Sequence, residues 1–192
     1  TISTHAINAS LYKNLSYDPV KDFEPISLIA TLPNVLIVDA RLGVNSVAEL
    51  VALLKRDPSK RYFASSGSGT STHLAGELFA DIIHVPLSHV PYKGTGLATT
   101  ELIGGQIDFM FTPAPNAIPF VRTGKIRGIA VTSLKRSSAL PELPTMDESG
   151  LKGFELLGWI GLLGPGGTPR DIVDRLNGEI NKLLGGDIRG RL

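Results

Sequence analysis

Apolar and polar positions along this chain fall into short blocks whose period changes repeatedly between that of a strand and that of a helix. Two apolar runs, Ile26–Ala30 and Val35–Val38, predict buried strands with a break at Leu32-Pro33-Asn34 between them. Further strands are predicted at Arg61–Ala64, His89–Tyr92, Ile107–Phe111, Ile126–Thr132, Phe154–Leu157 and Trp159–Leu163. Because helical periodicity recurs between these strands, the sequence predicts an α/β fold with a mostly parallel sheet.

Capping residues mark where several of the predicted helices begin. Ser46 and Glu49 have the spacing of a capping box, and a helix is predicted to follow. A second box, formed by Thr145 and Glu148, predicts a short helix over Thr145–Ser149. Other helices are predicted at Thr70–Ala80, Gly96–Ile103 and Ala117–Arg122.

The last predicted helix has the clearest signals at its two ends. Thr168 is the predicted cap, Pro169 occupies the first helical position, and Gly185 lies just past the end. Its apolar residues recur every three or four positions and form one face, namely Ile172, Leu176, Ile180 and Leu183. The sequence therefore predicts an amphipathic helix near its end.

The composition limits the classes of function that the chain can have. Its 192 residues fit one ordinary domain or two small lobes, since domains usually contain about 100–200 residues. The 19 basic and 18 acidic residues leave no excess positive charge for binding nucleic-acid phosphates. The sequence has no cysteine, which excludes disulfide bonds, thiolate zinc sites and cysteine nucleophiles. No apolar run approaches the roughly 18 residues that a membrane-spanning helix needs.

A loop rich in glycine and hydroxyl groups, Ser65–Thr72, joins a predicted strand to a predicted helix. The first amides of a helix lack partners within it, and the helix dipole places roughly half a positive charge there. Glycines allow a ligand to approach the backbone, and hydroxyls add hydrogen-bond donors, so the loop predicts an anion-binding site. A second interpretation stays open, because serine and threonine at such positions commonly serve only to cap the helix.

The loop matches none of three better-known motifs. A dinucleotide fingerprint fails because Gly67 and Gly69 are followed by Thr72 instead of a third glycine. A P-loop would need Gly-Lys before its last hydroxyl residue, and a nucleophile elbow would need spacers on both sides of Ser68. The sequence thus offers an anion site without a catalytic motif.

The titratable residues outside the loop give weaker signals. The histidines His5, His73, His84 and His89 have no metal-ligand spacing, so we interpret them as packing or surface residues. Asp108 lies in an apolar run and is expected to be half-buried with a partner. That partner is either a set of backbone amides or an amino or hydroxyl group of a ligand.

An ordered series of segments covers nearly the whole chain and resembles one protein family. The segments are His5–Tyr12, Tyr17–Phe23, Ala64–Glu77, Val90–Gly94, Gly104–Asp108, Gly124–Arg127, Ala130–Ser133, Leu143–Thr145 and Gly164–Pro169. In residue type and order they resemble the tripartite tricarboxylate transporter receptors known as Bug proteins.

The resemblance implies a two-lobed α/β fold of the type II periplasmic-binding-protein class, with parallel or mixed sheets. Residues 1–30 would be part of lobe 1, residues 31–130 a complete lobe 2, and residues 131–192 the hinge return and the rest of lobe 1. The segments around Ala30–Val35 and Val131–Ser133 resemble hinge crossings. Because family members are longer, lobe 1 is expected to be incomplete and the chain to be cut at both ends, without its signal peptide.

The resemblance also implies a function. Such a protein is a periplasmic receptor that captures a small carboxylate, either a di- or tricarboxylate or an aromatic acid, in the cleft between its lobes. It presents the ligand to membrane permease subunits or to a sensor protein, for uptake or sensing. No enzymatic activity, cofactor, metal or nucleic-acid partner is implied.

The segment Thr1–His5 resembles a lobe 1 loop that faces the lobe 2 loop across the cleft. The ligand-binding residues implied by the resemblance are Thr4 and His5 in the lobe 1 loop, Ser65, Ser66, Gly69, Thr70 and Ser71 in the lobe 2 loop, and Asp108. Two alternatives belong to other classes. One is a hydrolase that uses a loop serine, and the other is a fragment of such a receptor that binds nothing. Truncation would expose strand edges, so self-association is also expected.

Overall fold

The computed structural model describes residues 4–57, 59 and 61–186 of the chain. The described helices are α1 (Thr4–Leu11), α2 (Val47–Arg56), α3 (Ser71–Ile83), α4 (Thr95–Gly104), α5 (Ala114–Arg122) and α6 (Arg170–Gly185). The described strands are β1 (Phe23–Asp39), β2 (Tyr62–Ser65), β3 (Ser88–Pro91), β4 (Phe109–Pro113), β5 (Ile126–Val131) and β6 (Leu157–Pro165). The chain divides into two compact units, the first comprising Thr1–Thr31 and Gly158–Leu192, the second Leu32–Leu157.

The second unit extends beyond the boundary predicted near residue 130. Thr132 provides the physical reason, since its hydroxyl accepts a hydrogen bond from the Asn34 amide at 2.8 Å and donates one to the Leu156 carbonyl at 2.6 Å. Its backbone bonds to the same two residues, at 2.9 Å and 3.0 Å. One fully buried residue thus ties three chain segments together and keeps residues 131–157 in this unit.

The sheet is mixed, with the strand order β3-β2-β4-β1-β5. β2 is parallel to β3 and β4, whereas β1 is antiparallel to β4 and β5. β6 also pairs with β1, which runs from the first unit into the second. The parallel pairing predicted from the alternation of strands and helices is therefore found among β3, β2 and β4, whereas β1 is antiparallel to both of its neighbours in the second unit.

The sheet of the second unit is buried on both faces. Along β1, Leu36 and Val38 belong to an apolar core that includes residues of α2 and α3. The alternate residues Val35 and Ile37 belong to another core, which includes residues of α4 and α5. Because successive strand side chains point to opposite faces, β1 separates the two cores and the unit has helices on both sides of its sheet.

β1 and β6 correct the predictions made for their segments. β1 is continuous through Pro33, where a break was predicted, because its pairing with β4 and β5 begins at Asn34 and Val35. The missing amide hydrogen of Pro33 therefore removes no bond from that pairing. β6 is one strand where two were predicted at Phe154–Leu157 and Trp159–Leu163.

The segment Thr145–Ser149 forms a turn instead of the predicted helix. Both bonds of the capping box are present, since the amide of each partner donates to the side chain of the other at 2.9 Å. The backbone makes one helical hydrogen bond, from the Ser149 amide to the Thr145 carbonyl, before Gly150 adopts a φ of 100°. A capping box by itself does not extend a helix, because propagation needs further residues in helical conformation.

The ends of α6 also differ from the prediction. Pro169 is the N-cap and makes no side-chain capping bond, while the Thr168 hydroxyl donates to the Pro165 carbonyl at 2.6 Å. Gly185 is the last helical residue, and Gly186 follows as the C-cap.

Most of the apolar face predicted for α6 is exposed. Val173 is buried, and the Asn177 side chain, one turn later, donates to the Ile26 carbonyl at 2.6 Å. Of the four residues on the predicted face, Ile180 is half-buried, whereas the exposed fractions are 45% for Ile172, 41% for Leu176 and 57% for Leu183. The buried side of the helix is thus displaced by one residue from the predicted one.

We predict that Gly76 is required for the packing of α3 on β2. A Cβ atom at this position would collide with the ring of Phe63, which is fully buried. The variant G76A should therefore lower the free energy of unfolding by about 1–3 kcal/mol through overpacking. Denaturant-induced unfolding measures the change.

The matched control for this prediction is G104A, at the end of α4. A Cβ atom at Gly104 would meet nothing within 4 Å, so this variant should raise the free energy of unfolding by up to about 1 kcal/mol. Equal effects of the two variants would contradict the predicted contact.

We also predict that the Thr132 hydroxyl stabilises the second unit. The variant T132V keeps the shape of the side chain and leaves the Asn34 amide and the Leu156 carbonyl without their partner. The free energy of unfolding should fall by about 2 kcal/mol or more. The variant T132S keeps the hydroxyl and removes one methyl group, at a cost of about 0.8 kcal/mol. If T132S were the less stable of the two in denaturant titrations, the hydroxyl would not have this role.

Candidate functional site

The loops that follow β2, β3 and β4 lie at one edge of the sheet in the second unit. Because β2 is parallel to both β3 and β4, the carboxyl ends of the three strands meet there. The loops lead into α3, α4 and α5, so three helix N-termini lie at this edge. Ligands of open α/β sheets usually bind at the carboxyl ends of the strands. Only the first of these segments was predicted from the sequence. The segment after β3, Tyr92–Gly94, has no serine or threonine, and α5 begins directly after β4.

The backbone of the 65–72 loop depends on its glycines. Gly67 has a φ of 132° and Gly69 a φ of 73°, a region that residues with a Cβ atom rarely adopt. After these two residues, Thr70 becomes the N-cap of α3 and its hydroxyl accepts a hydrogen bond from the His73 amide at 3.3 Å. Helix capping, one of the two interpretations of the loop, is therefore confirmed for Thr70.

Three hydroxyls of the loop bond to one another. Thr72 Oγ1 lies 3.0 Å from Ser66 Oγ and 2.9 Å from Thr70 Oγ1. The Ser66 amide also donates to Thr72 Oγ1 at 3.0 Å, and the Thr70 hydroxyl donates to the Gly67 carbonyl at 2.7 Å. These groups hold the loop in shape, so most of their hydrogen-bonding capacity is used within it.

Ser71 differs from the other hydroxyl residues at the start of α3. In the part of the chain that the structure describes, the hydroxyls of Ser68 and Ser71 make no hydrogen bond. Ser68 is exposed, whereas Ser71 is half-buried and is the first residue of the helix. The Ser71 hydroxyl is therefore the loop donor that remains available beside the N-terminus of α3.

Ser65 is fully buried and bonds to a histidine that the sequence analysis interpreted as a packing residue. Its Oγ lies 2.6 Å from His89 Nε2. It also accepts a hydrogen bond from the Gly67 amide and donates one to the Gly67 carbonyl, both at 3.1 Å. Burial, and secondly the charge of the nearby His73, lower the pKa of His89 from 6.5 to about 4. Ser65 is thus buried beneath the loop, bonds to its backbone at Gly67, and has no exposed surface that could touch a ligand.

The pair formed by Ser65 and His89 also bears on the alternative of a hydrolase. A nucleophile must reach its substrate, and Ser65 has no exposed surface. The more accessible serines of the loop, Ser66, Ser68 and Ser71, have no histidine within hydrogen-bond distance among the described residues. The structure therefore offers no aligned nucleophile and base at this edge within that part of the chain.

Two buried polar atoms at the same edge lack partners among the described residues. They are Thr112 Oγ1, one residue before the end of β4, and Asn34 Nδ2, whose residue pairs with Pro113. Buried polar groups are normally hydrogen-bonded, so these two atoms mark a place where polar chemistry is incomplete. Neither residue was predicted to belong to a site, because a threonine or asparagine beside apolar strand residues gives no periodic signal.

Asp108 does not join the loop. It directly precedes β4, whereas the loop directly follows β2, and the two strands are parallel. Asp108 therefore lies at the opposite edge of the sheet, where its carbonyl accepts a hydrogen bond from the Asp39 amide at 2.9 Å. The resemblance implied Asp108 as a ligand-binding residue, and strand direction, which the sequence does not show, places it at the edge opposite to the loop.

Thr4 and His5 belong to the first unit and lie in the first turn of α1, where a loop was predicted. His5 Nε2 is 2.9 Å from the Pro19 carbonyl oxygen, and the ring packs against Tyr17 and Phe23. These contacts agree with the interpretation of His5 as a packing residue. Thr1, Ile2 and Ser3 of the predicted loop lie outside the described residues.

The described residues show neither a metal site nor a membrane-spanning helix. The described residues contain no group of three or more His, Cys, Asp or Glu side chains arranged to hold a metal ion. None of the described helices is both long enough and apolar enough to cross a bilayer. The 65–72 loop also carries no lysine or arginine, so its chemistry is that of hydroxyls and backbone amides, with the imidazoles of His73 and His89 beside it.

Comparison with known sequences gives consistent matches. The profile of the family described as "Tripartite tricarboxylate transporter family receptor" matches residues 1–185. A protein described as "UPF0065 protein in tcbD-tcbE intergenic region", from Pseudomonas sp. strain P51, is 41% identical over 179 residues. This alignment covers 93% of the chain and 53% of the relative. BugT of Bordetella pertussis is 32% identical, with 93% and 55% covered.

Comparison with solved structures agrees with these matches. Rpa4515 of R. palustris, determined with adipate, has a TM-score of 0.91 and 36% identity, covering 97% of this chain and 63% of that one. The periplasmic binding protein BugD has a TM-score of 0.89 and 39% identity, covering 97% and 62%. MatC of Rhodopseudomonas palustris, with bound malate, has a TM-score of 0.86 and 31% identity, covering 96% and 63%.

The chain spans about half the length of the curated relatives it matches, and less than two thirds of the solved chains. Its α/β fold with a mixed sheet is that of these periplasmic binding proteins. The family profile extends over nearly every residue of the chain. The chain therefore belongs to the tripartite tricarboxylate transporter receptor family.

Proposed function

We propose that this chain is part of a periplasmic solute receptor that captures a small carboxylate for uptake or sensing. Membership of the receptor family supports this proposal, as do the relatives that hold adipate and malate, both of which are dicarboxylates. The relative BugD is a periplasmic binding protein, which supports the same compartment. Membrane permease subunits or a sensor protein would receive the loaded receptor.

The observation that carries the proposal is the free Ser71 hydroxyl at the N-terminus of α3, where the 65–72 loop brings no charged side chain. A carboxylate placed there would accept hydrogen bonds from this hydroxyl and from the first amides of the helix, assisted by the helix dipole. Ser65, Ser66, Gly69 and Thr70 would act by holding the loop, since their side chains or amide are engaged within it. A contribution from Thr4 and His5, and capture in a cleft between two lobes, stay predictions from the family resemblance.

An anion site of this composition explains why the chain needs no excess of basic residues. Its net charge is +1, and the loop itself is uncharged. Hydrogen bonds from neutral donors to an ionised acceptor are stronger than bonds between neutral groups, so a few donors suffice. Non-enzymatic binding is the proposed role, because the site supplies donors to an anion and no group that would attack it.

We predict that a dicarboxylate binds this chain. Isothermal titration calorimetry with adipate, malate and benzoate would separate aliphatic diacids from an aromatic acid. A ligand at 100 times its dissociation constant should stabilise the folded state by about 2.7 kcal/mol, so thermal unfolding provides a second measurement. Absence of both heat and stabilisation for all three acids at millimolar concentration would contradict carboxylate binding by this chain.

We further predict that Ser71 contacts the ligand. The variant S71L places an apolar side chain beside the first amides of α3 and should abolish the heat of adipate binding while the fold is kept. The matched control is S88L, because Ser88 is exposed and begins β3, at the edge of the sheet opposite to the loop. Unchanged adipate affinity in S71L, or equal losses in the two variants, would remove Ser71 from the site.

A further inference from the structure

We propose that the stacked imidazoles of His73 and His89 are positioning residues that hold both ends of the 65–72 loop, and that protonation of His73 releases the loop at Gly69. This inference rests on the proposed function of the loop and adds a regulation by pH. It concerns residues that the sequence analysis interpreted as packing residues.

The two histidines fasten the loop at two points. At its start, Ser65 Oγ lies 2.6 Å from His89 Nε2. Near its end, the Gly69 amide donates to His73 Nδ1 at 3.3 Å. The ring centroids of the two histidines are 4.0 Å apart at an interplanar angle of 28°, and Phe63 extends the stack beyond His89. The loop is thus closed at both ends by one aromatic stack, which is anchored on β2, β3 and α3.

The bond from Gly69 fixes the proton of His73. Because a backbone amide only donates, Nδ1 must be unprotonated, so neutral His73 carries its hydrogen on Nε2. Nε2 lies 3.4 Å from Glu77 Oε1. A second proton can enter only at Nδ1, where it removes the acceptor of the Gly69 amide. Charging His73 therefore breaks one of the two attachments of the loop.

Few charged groups surround the stack. α3 itself carries His73, Glu77 and Asp81, whereas of the strands packed on it β2 carries only Tyr62, β3 only His89, and β4 no titratable residue. α2, which shares an apolar core with α3, carries Glu49, Lys55 and Arg56. Two positive rings 4.0 Å apart would repel strongly, which opposes a second charge on the pair.

The lowered pKa of His89, about 4 against its ordinary value of 6.5, gives the sign of the accompanying change in stability. Between these two values the unfolded chain binds a proton at this histidine and the folded chain does not. The contribution of His89 to the free energy of unfolding is therefore complete above about pH 6.5 and is lost progressively as the pH falls toward 4.

Matched variants separate attachment of the loop from packing of the rings. H73F and H89F keep an aromatic ring in the stack but remove the nitrogen that bonds to Gly69 or Ser65. H73N places an amide oxygen near the position of Nδ1. H89Q places an amide nitrogen near that of Nε2, because the Ser65 hydroxyl donates to the Gly67 carbonyl and accepts from residue 89. Both variants keep a bonding group that does not titrate. The measurements are amide hydrogen-exchange protection at Gly67 and Gly69, and histidine nitrogen spectra that report the tautomers.

We expect His73 to be the Nε2–H tautomer at pH 7.5. H73F and H89F should then lose protection at Gly69 and Gly67, respectively, by about tenfold or more, while Phe111 in β4 keeps its own. The wild type should lose Gly69 protection, after correction for intrinsic exchange, over the pH range in which the nitrogen spectra show His73 gaining a proton, and H73N should not. Unchanged protection in both phenylalanine variants, or an Nδ1–H tautomer of His73, would overturn the inference.

Adipate titration of the same proteins distinguishes this inference from the proposed function. If both hold, adipate affinity falls at least tenfold in the phenylalanine variants, and in the wild type as His73 gains a proton. If adipate fails to bind any protein while the exchange pattern is as expected, the loop is held as inferred and the carboxylate proposal is wrong. If adipate binds all variants equally before and after His73 is protonated, regulation of the loop by the histidines is refuted.

Discussion

The parallel pairing of β2 with β3 and β4 is the constraint on which the candidate site depends. It brings the N-termini of α3, α4 and α5 to one edge of the sheet, so dipoles and amides gather there. The only lysine or arginine in the segments that lead into these three helices is Lys93, which precedes α4. β1 runs in the opposite direction and enters the second unit at this same edge, beside Pro113. Thr132, at the end of β5, holds the segment through which the chain leaves. The 65–72 loop, the residues of β1 that begin the pairing with β4, and Thr132 therefore lie at one edge of one sheet.

The hydroxyls of the 65–72 loop differ in what they bond to. Capping and anion binding were alternative interpretations of the same residues, and the structure engages four of the hydroxyls within the loop while those of Ser68 and Ser71 make no hydrogen bond among the described residues. Ser65, Ser66, Thr70 and Thr72 use their oxygen atoms to fix the backbone. Ser71 keeps an unused donor beside the first amides of the helix. A loop fixed in this way loses little further conformational freedom when a ligand binds, which favours affinity.

Local signals in the sequence predicted more of the fold than of the site. Strand and helix periods located most elements, because each records burial of its own face, and Ser46 and Thr70 act as caps as their residue types suggest. Strand direction and pairing depend on distant residues, so the sequence could not show that Asp108 lies away from the loop. The contact between Ser65 and His89 depends on the same pairing. The buried face of α6 was misjudged because periodicity identifies an apolar stripe but not what covers it.

The order in which the strands of the second unit occur has a consequence for how the chain folds. The partners of β1 in that unit, β4 and β5, come from the far end of the unit's sequence, with β2 and β3 in between. Closing so long a loop is entropically costly, and topologies dominated by distant contacts fold slowly. During synthesis, the apolar segment Val35–Val38 emerges from the ribosome well before Phe109–Pro113 exists to pair with it. The nascent chain must therefore keep its central strand from aggregating for most of the time needed to translate the unit.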